Sequence, residues 1–366
     1  MKELLSRRYI SYAMFIVVPL VFTFIIILTS YTNHNSWWIE LLSFFVPFIL
    51  LGVFMLLLGW LLIRPGWRFL WLPLLALAVS VEPLNATLAL NPSRAITGDE
   101  VRVMSFNAAL FSPYRPSTLQ SDPGVFNSFY TYLRNNEPPD ILCIQEFFHS
   151  VREDRELTAD SIRSLGSYSH FYTNPLHNKK YDGLIGVITF SKYPIVNSGK
   201  LDIGHYQTNN GHWIDIVIGS DTIRVFNVQL RSMSIRLTRR PGHTLIADIA
   251  YNVREIYGRL KMGYYLRQQE MELIEKALNA SPYPRVICAD LNALPYSQTY
   301  QRLKRKYHNA FERRGSGFGF TYHQFPWFIR IDNQFFDPDL KVSYFKTLDH
   351  IHVSDHYPVE AGYLLE

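Results

Sequence analysis

With 366 residues the chain is long enough for one large domain plus an appendage, or for two modest domains. Its 36 Lys and Arg against 31 Asp and Glu leave a net charge of +5, which suits an anionic substrate and equally suits arginines flanking a membrane. Two cysteines exclude a disulfide framework, and the apolar runs around Cys143 and Cys288 mark both as buried, inert thiols.

Hydrophobic residues concentrate at the N-terminus. Ser11 to Ser30 and Leu41 to Ile63 carry no charge, and each meets the ~20 residues needed to cross a ~30 Å hydrocarbon core. A signal peptide followed by a core helix fits poorly, because no small-residue cleavage site follows the first run. Trp67 to Leu90 is a third stretch, with Glu82 as its only charge beyond Arg68 at its start. Residues 1–90 therefore read as an anchor with two or three transmembrane helices, at about 11–30, 41–63 and 67–90. Lys2, Arg7 and Arg8 precede the first span and Arg64 and Arg68 follow the second, while Tyr31 to Glu40 holds neither Lys nor Arg. The positive-inside rule places those basic flanks in the cytoplasm. Three spans predict a multi-pass inner-membrane protein with everything after residue 90 outside the cytoplasm; two would leave it inside.

Residues 91–99 form a turn-rich linker, and residues 100–366 have ordinary globular composition without internal repeats. The patterning predicts strands at Val101–Phe106, Ile141–Gln145, Leu184–Phe190, Trp213–Ile218, Ile223–Leu230, Val286–Ala289, Ile331–Phe336 and His350–Val353. It predicts helices at Gly124–Asn135, Leu157–Leu165, Leu266–Leu278 and Gln298–Lys306. Ile214–Ile218 followed by Asp221-Thr222 reads as a hairpin. Hairpins mixed with helices point to an α/β sandwich with mixed sheets.

Polar residues recur at the predicted strand ends. Asn107 follows Val101–Phe106, a position where Asn is commonly only a cap. Glu146 closes Asp140–Gln145, and a carboxylate beside apolar residues is expensive unless paired or bound to a cation. Such hard oxygen ligands suit Mg²⁺, with Mn²⁺ or Ca²⁺ as alternatives. Asp290 and Asn292 are two apart, so in an extended segment they share a face that can orient a water and hold phosphate oxygens. Asp332 lies in the run after Arg330. Asp355 and His356 would face opposite sides of a strand, which makes Asp332 the predicted partner of His356 and frees Asp355 for a cation. Each motif alone has a bland reading as a turn, a cap or a surface ion pair; their joint occurrence favours chemistry.

In this order the motifs Ser105-Phe106-Asn107, Gln145-Glu146, Ser191–Ile195, Ala289–Ser297, Arg330-Ile331-Asp332 and Ser354–Val359 resemble the endonuclease/exonuclease/phosphatase family. The resemblance spans roughly residue 100 to the end, and the N-terminal spans are similar to a membrane-anchored bacterial subgroup. It implies a four-layered α/β sandwich and a divalent-metal-dependent phosphoesterase. It further implies Asn107 and Glu146 as metal-site amide and carboxylate, Asp355 as the metal-proximal acid, and Asp290 as activator of the water. Asn292 would neighbour the phosphate, Asp332 would orient His356, and His356 would contact the phosphate. Many members carry a His where this chain has Gln229, which can still donate a hydrogen bond but cannot act as an acid.

A basic stretch between Arg231 and Arg267, including Arg236, Arg239, Arg240 and Lys261, is a candidate cradle for phosphates or lipid headgroups and equally an ordinary solvated face. The modest charge lacks the long basic track that duplex DNA demands. The sequence thus favours a membrane-held phosphatase or lipid phosphodiesterase over a nuclease; a non-catalytic phosphate- or lipid-binding module is the reading from outside enzymology.

Overall fold

The structure, a computed structural model, describes residues 13–32, 36–63, 66–92, 98–111, 123–135, 137–150, 159–178, 183–203, 211–232, 238–240, 242, 244–324 and 329–365. Lys2, Arg7, Arg8, Arg64 and Arg236 lie outside these residues, as does most of the 91–99 linker. The chain divides into two compact units. One holds residues 1–88 and 294–302, the other residues 89–293 and 303–366.

In the first unit, two helices among the described residues are long and apolar enough to cross a membrane, Met14–Tyr31 and Val46–Ile63. Only 33% and 22% of these windows are buried within the protein, whereas a core helix would be mostly covered. The third apolar run is not one helix. It forms Trp71–Val79 and Val81–Thr87, broken at Ser80. Pro83 supplies the reason: its ring crowds the carbonyl of Val79, four residues back, and it has no N–H to continue the ladder. The segment after the predicted Asp-x-Asn strand joins this unit, where the Glu40 carboxylate accepts from the Gln298 N–H at 2.9 Å.

The second unit contains two mixed sheets. Its strands are β1 (Ala89–Leu90), β2 (Val101–Asn107), β3 (Ile141–Ser150), β4 (His170–Thr173), β5 (Leu176–Asn178), β6 (Gly183–Ser191), β7 (Ile195–Leu201), β8 (Gly211–Ile218), β9 (Asp221–Gln229), β10 (Arg285–Asp290), β11 (His308–Asn309), β12 (Ser316–Gly317), β13 (Asp332–Phe336), β14 (Lys341–Thr347) and β15 (Val359–Leu364). One sheet has the order β11-β13-β10-β9-β8-β7, the other β14-β15-β2-β3-β6-β4. The β2/β3 and β9/β10 pairs are parallel and their neighbours antiparallel, as a mixed sandwich requires. Gly219, at φ +62, opens the two-residue turn of the predicted β8–β9 hairpin.

Alternation along the strands builds two cores. Val101, Val103, Ile141 and Cys143 face Ile214, Val225, Val286 and Cys288 of the other sheet. Met104, Phe106, Leu142 and Ile144 point the other way, against Phe129 and Leu133 of the helix Pro123–Asn135 and Ile162 of Ala159–Leu165. Both cysteines are buried and free.

Two expectations need correction. His350–Val353 is irregular chain rather than a strand: Ile351 and Val353 are buried in the outer core, and the final strand begins only at Val359, after Pro358. The helix predicted at Leu266–Leu278 runs from Leu245 to Asn279, 35 residues, started by Thr244, whose side chain accepts from the Ala247 N–H.

Candidate active site

Strand register gathers the site. In β10, Asp290 is the direct partner of Gln229 in β9 on one side and of Asp332 in β13 on the other. In the facing sheet Asn107 ends β2 beside Gln145 of β3. Glu146 does not end its strand, since β3 continues to Ser150. It occupies a bulge, where the β3/β6 register shifts between Ile144 and Phe147, and its φ of +47 is left-handed. A bulge re-aims one side chain, and a non-glycine residue in this region stores strain that a functional site retains.

The side chains from the two sheets meet. Asn107 Nδ2 donates to Asp290 Oδ2 at 2.8 Å and to Glu146 Oε1 at 3.3 Å. Asn107 Oδ1 accepts from the Ala109 N–H, in a turn where Ala109, Leu110 and Phe111 all have positive φ. Gln229 Nε2 donates to Glu146 Oε1 at 2.6 Å. Asn292 reaches Asp290 by another route than shared strand facing. It lies beyond the strand at φ +47, and both its backbone N–H and its Nδ2 donate to Asp290 at 3.0 Å. The same Nδ2 donates to the Leu230 carbonyl. The donor that the sequence offers to a phosphate is therefore engaged in holding Asp290.

On the other flank His356 Nδ1 lies 2.8 Å from Asp332 Oδ2. Burial alone would lower the imidazole, but Asp332 overrides it and, with Asp290 and Asp355, raises its pKa to about 10. Burial and the charge of Asp332 push Asp290 up to about 7, against the opposing pull of His356, Asn107 and the Asn292 N–H. A carboxylate poised near neutrality beside a cationic imidazole has the chemistry to accept a proton from water next to a positive charge.

Asp355 is buried on the same segment, and its backbone carbonyl accepts from the His323 N–H. Its neighbour Ser354 does more than the sequence indicated. The Ser354 Oγ donates to the Asn107 carbonyl at 2.7 Å and accepts from the His356 N–H at 3.1 Å, tying the histidine loop to β2. Thr321 Oγ1 accepts from the N–H groups of both Ile331 and Asp332 and fixes the start of β13. The Tyr322 ring stands edge-on to His356 at 5.1 Å. Ser354 belongs to the Ser354–Val359 motif; nothing in the sequence marks Thr321 or Tyr322.

Two features fit a divalent cation. Glu146 meets only neutral amides among the described residues, leaving its charge uncompensated, and the buried Gln229 Oε1 has no hydrogen-bond partner. The nearby ligand atoms of Asp290, Asp332 and His356 lie within 4.8 Å of one another, a spacing compatible with a metal.

The model of the endonuclease/exonuclease/phosphatase family matches residues 104–356, from the strand that presents Asn107 to His356 itself. The chain belongs to this family. Family members are hydrolases of phosphoester bonds and generally depend on divalent metals; this chain is a hydrolase acting on phosphoester bonds. Its fold matches two solved structures described as members. One from Bacteroides vulgatus has TM-score 0.54 at 16% identity, covering 73% of this chain and 99% of that one. One from Leptotrichia buccalis has TM-score 0.51 at 13% identity, covering 72% and 100%. The catalytic domain of human nocturnin with bound sulfate has TM-score 0.49 at 15% identity, covering 75% and 96%. At such identities the likeness concerns fold alone. The sequence matches no curated protein.

Proposed function

We propose that the protein is a membrane-held, Mg²⁺-dependent phosphoesterase that hydrolyses a phosphomonoester or phosphodiester by in-line attack of water. The observation that carries this reading is Asp290, held in place by Asn107 and Asn292, with a pKa near 7 and a cationic His356 alongside. Asp290 takes the proton of the attacking water at its carboxylate. His356, locked by Asp332, offers its remaining ring N–H to a phosphate oxygen. Glu146, with Asn107 and Asp355, would hold the cation, which when bound neutralises charge on the phosphate. Asn292 serves as a positioning residue for Asp290.

Membrane attachment is supported by the two apolar helices and their low burial. The basic flanks favour an extracytoplasmic catalytic unit, with the broken pair Trp71–Val79 and Val81–Thr87 as a third crossing in the inner membrane. A tether keeps lipid or envelope phosphoesters within reach and ranks them above nucleic acid as substrates. Alkaline phosphatase fused after Glu366 is expected to be active; an inactive fusion beside a fluorescent cytoplasmic reporter would reverse the topology.

The test of substrate is a panel of phospholipids, small phosphomonoesters and DNA, with Asp290→Asn as the blank. Turnover of lipid or monoester that vanishes in the variant supports the reading. Rapid cleavage of plasmid with no lipid or monoester turnover would make the protein a nuclease.

A further inference from the structure

The long helix Leu245–Asn279 uses one face in two ways. At about 3.6 residues per turn, residues eighteen apart return to the same face, so Ile246 shares a face with Tyr264, and Val253 with Met271. Tyr264 and Met271 are buried, and Ile274 and Leu278 extend their stripe. Ile246, Ile249 and Val253 are instead 80%, 53% and 61% exposed. The apolar stripe that docks the second half of the helix therefore continues, uncovered, along the first half. Branched aliphatic side chains grouped in this way mark a surface that meets something other than water.

Another face of the same segment is braced by polar contacts. Asp248 is buried and accepts from Arg240 Nε at 3.1 Å. The Arg240 guanidinium lies over the Tyr251 ring, 4.4 Å from its centre. Asn252 Oδ1 accepts from the Thr238 N–H at 2.8 Å, and its Nδ2 donates to the Thr238 carbonyl at 2.9 Å. A solvated amphipathic helix shows the reverse, with its polar residues in water and its aliphatic ones covered. Here the chain holds the polar residues and presents the aliphatic ones.

Charge identifies the occupant. Residues 231–262 hold seven Lys and Arg against two acids, Asp248 and Glu255, a net +5. The whole chain also carries +5, so its remaining acids and bases are equal in number. The excess positive charge is concentrated at the exposed stripe. Arg254 and Lys261 fall along one edge of it at the helix period. A second copy of the chain would bring two such basic segments together, whereas an anionic lipid surface neutralises them.

We propose that the first half of this helix, Leu245 to Tyr257, is an interfacial membrane helix that lays Ile246, Ile249 and Val253 into the headgroup boundary of an anionic bilayer. It gives the catalytic unit a bilayer contact of its own, besides the N-terminal spans, and rests on the membrane attachment proposed above. Apolar burial holds such a helix in the plane of the interface, and its basic residues select the anionic lipid.

The test uses the full-length protein in nanodiscs of phosphatidylglycerol and phosphatidylethanolamine, spin-labelled at Ile249→Cys. Both native cysteines are buried, which confines labelling to the introduced one. Power saturation against oxygen and a water-soluble nickel chelate reads the depth of the label. It is expected about 5–10 Å inside the headgroup boundary, with a smaller inserted fraction in discs of phosphatidylcholine alone. Arg239→Gln/Arg254→Gln should reduce the inserted fraction in the anionic discs. A label at Gly258→Cys, off the stripe and with open space around its Cβ, is expected to remain in water.

An Ile249 label in water, equal insertion in both lipid compositions, or spin–spin broadening between copies would overturn the proposal. A protein that fails to enter the discs defeats the membrane attachment and this helix with it. One that enters them with its Ile249 label in water defeats the interfacial helix alone.

Discussion

Gln229 Nε2 donates to Glu146 Oε1 across 2.6 Å, joining the end of one sheet to a bulge in the other. The contact gives a neutral amide the task of satisfying a carboxylate whose charge nothing else compensates among the described residues.

Gln229→Ala removes that donor. Losing a hydrogen bond to a charged group costs about 1.5–3 kcal/mol, so the metal-free variant should melt several degrees below the wild type. Saturating Mg²⁺ should close most of the gap by binding the folded state. Differential scanning calorimetry in EDTA and in Mg²⁺ reads both; a deficit indifferent to the metal would remove Glu146 from the cation site.

Much of this arrangement is legible in the sequence because charge at the end of an apolar strand is costly and so stands out. Asn107, Asp290 and Asp332 lie at strand termini, as the pattern predicted. What escaped depends on relations between segments. The bulge at Glu146 is a slip in register between β3 and β6, and no property of residues 141–150 alone encodes it. Ile351 and Val353 look like strand residues but fill the core from a loop. Strands β14 and β15, missed entirely, pair with each other and depend on β2 for their place. The first half of the long helix is not legible in the sequence because it exposes Ile246, Ile249 and Val253, leaving no conventional polar outer face.

Asp332→Asn should uncouple His356. Burial lowers the imidazole and Asp332 is the largest of the carboxylates that lift it to about 10, so the variant's pKa should fall well below that value. The sign for stability follows: the pair's contribution is complete below pH 6.5 and is lost as pH rises through about 10. Proton NMR of the His356 ring should show the shift, and turnover at pH 8 should fall about 10²-fold or more as the cation is lost. A ring that still titrates near 10 would contradict the pairing.

Glu146→Gln keeps the side chain's shape and removes its charge. Turnover should drop at least about 100-fold and Mn²⁺ affinity, read by electron paramagnetic resonance, at least about 10-fold. The melting temperature in EDTA should stay within a few degrees, since the residue is partly exposed and lies outside the cores. Unaltered Mn²⁺ binding would move the cation to Asp290, Asp332 and His356.

The central claim is that a divalent cation and the Asp290 carboxylate together hydrolyse a phosphoester. Its most direct test is the rate of hydrolysis of bis-p-nitrophenyl phosphate by the full-length protein, stripped with EDTA and then titrated with Mg²⁺. Turnover should be absent after stripping and return saturably with the metal, with an acid limb near pH 7 from Asp290. A rate that survives EDTA unchanged would contradict the account.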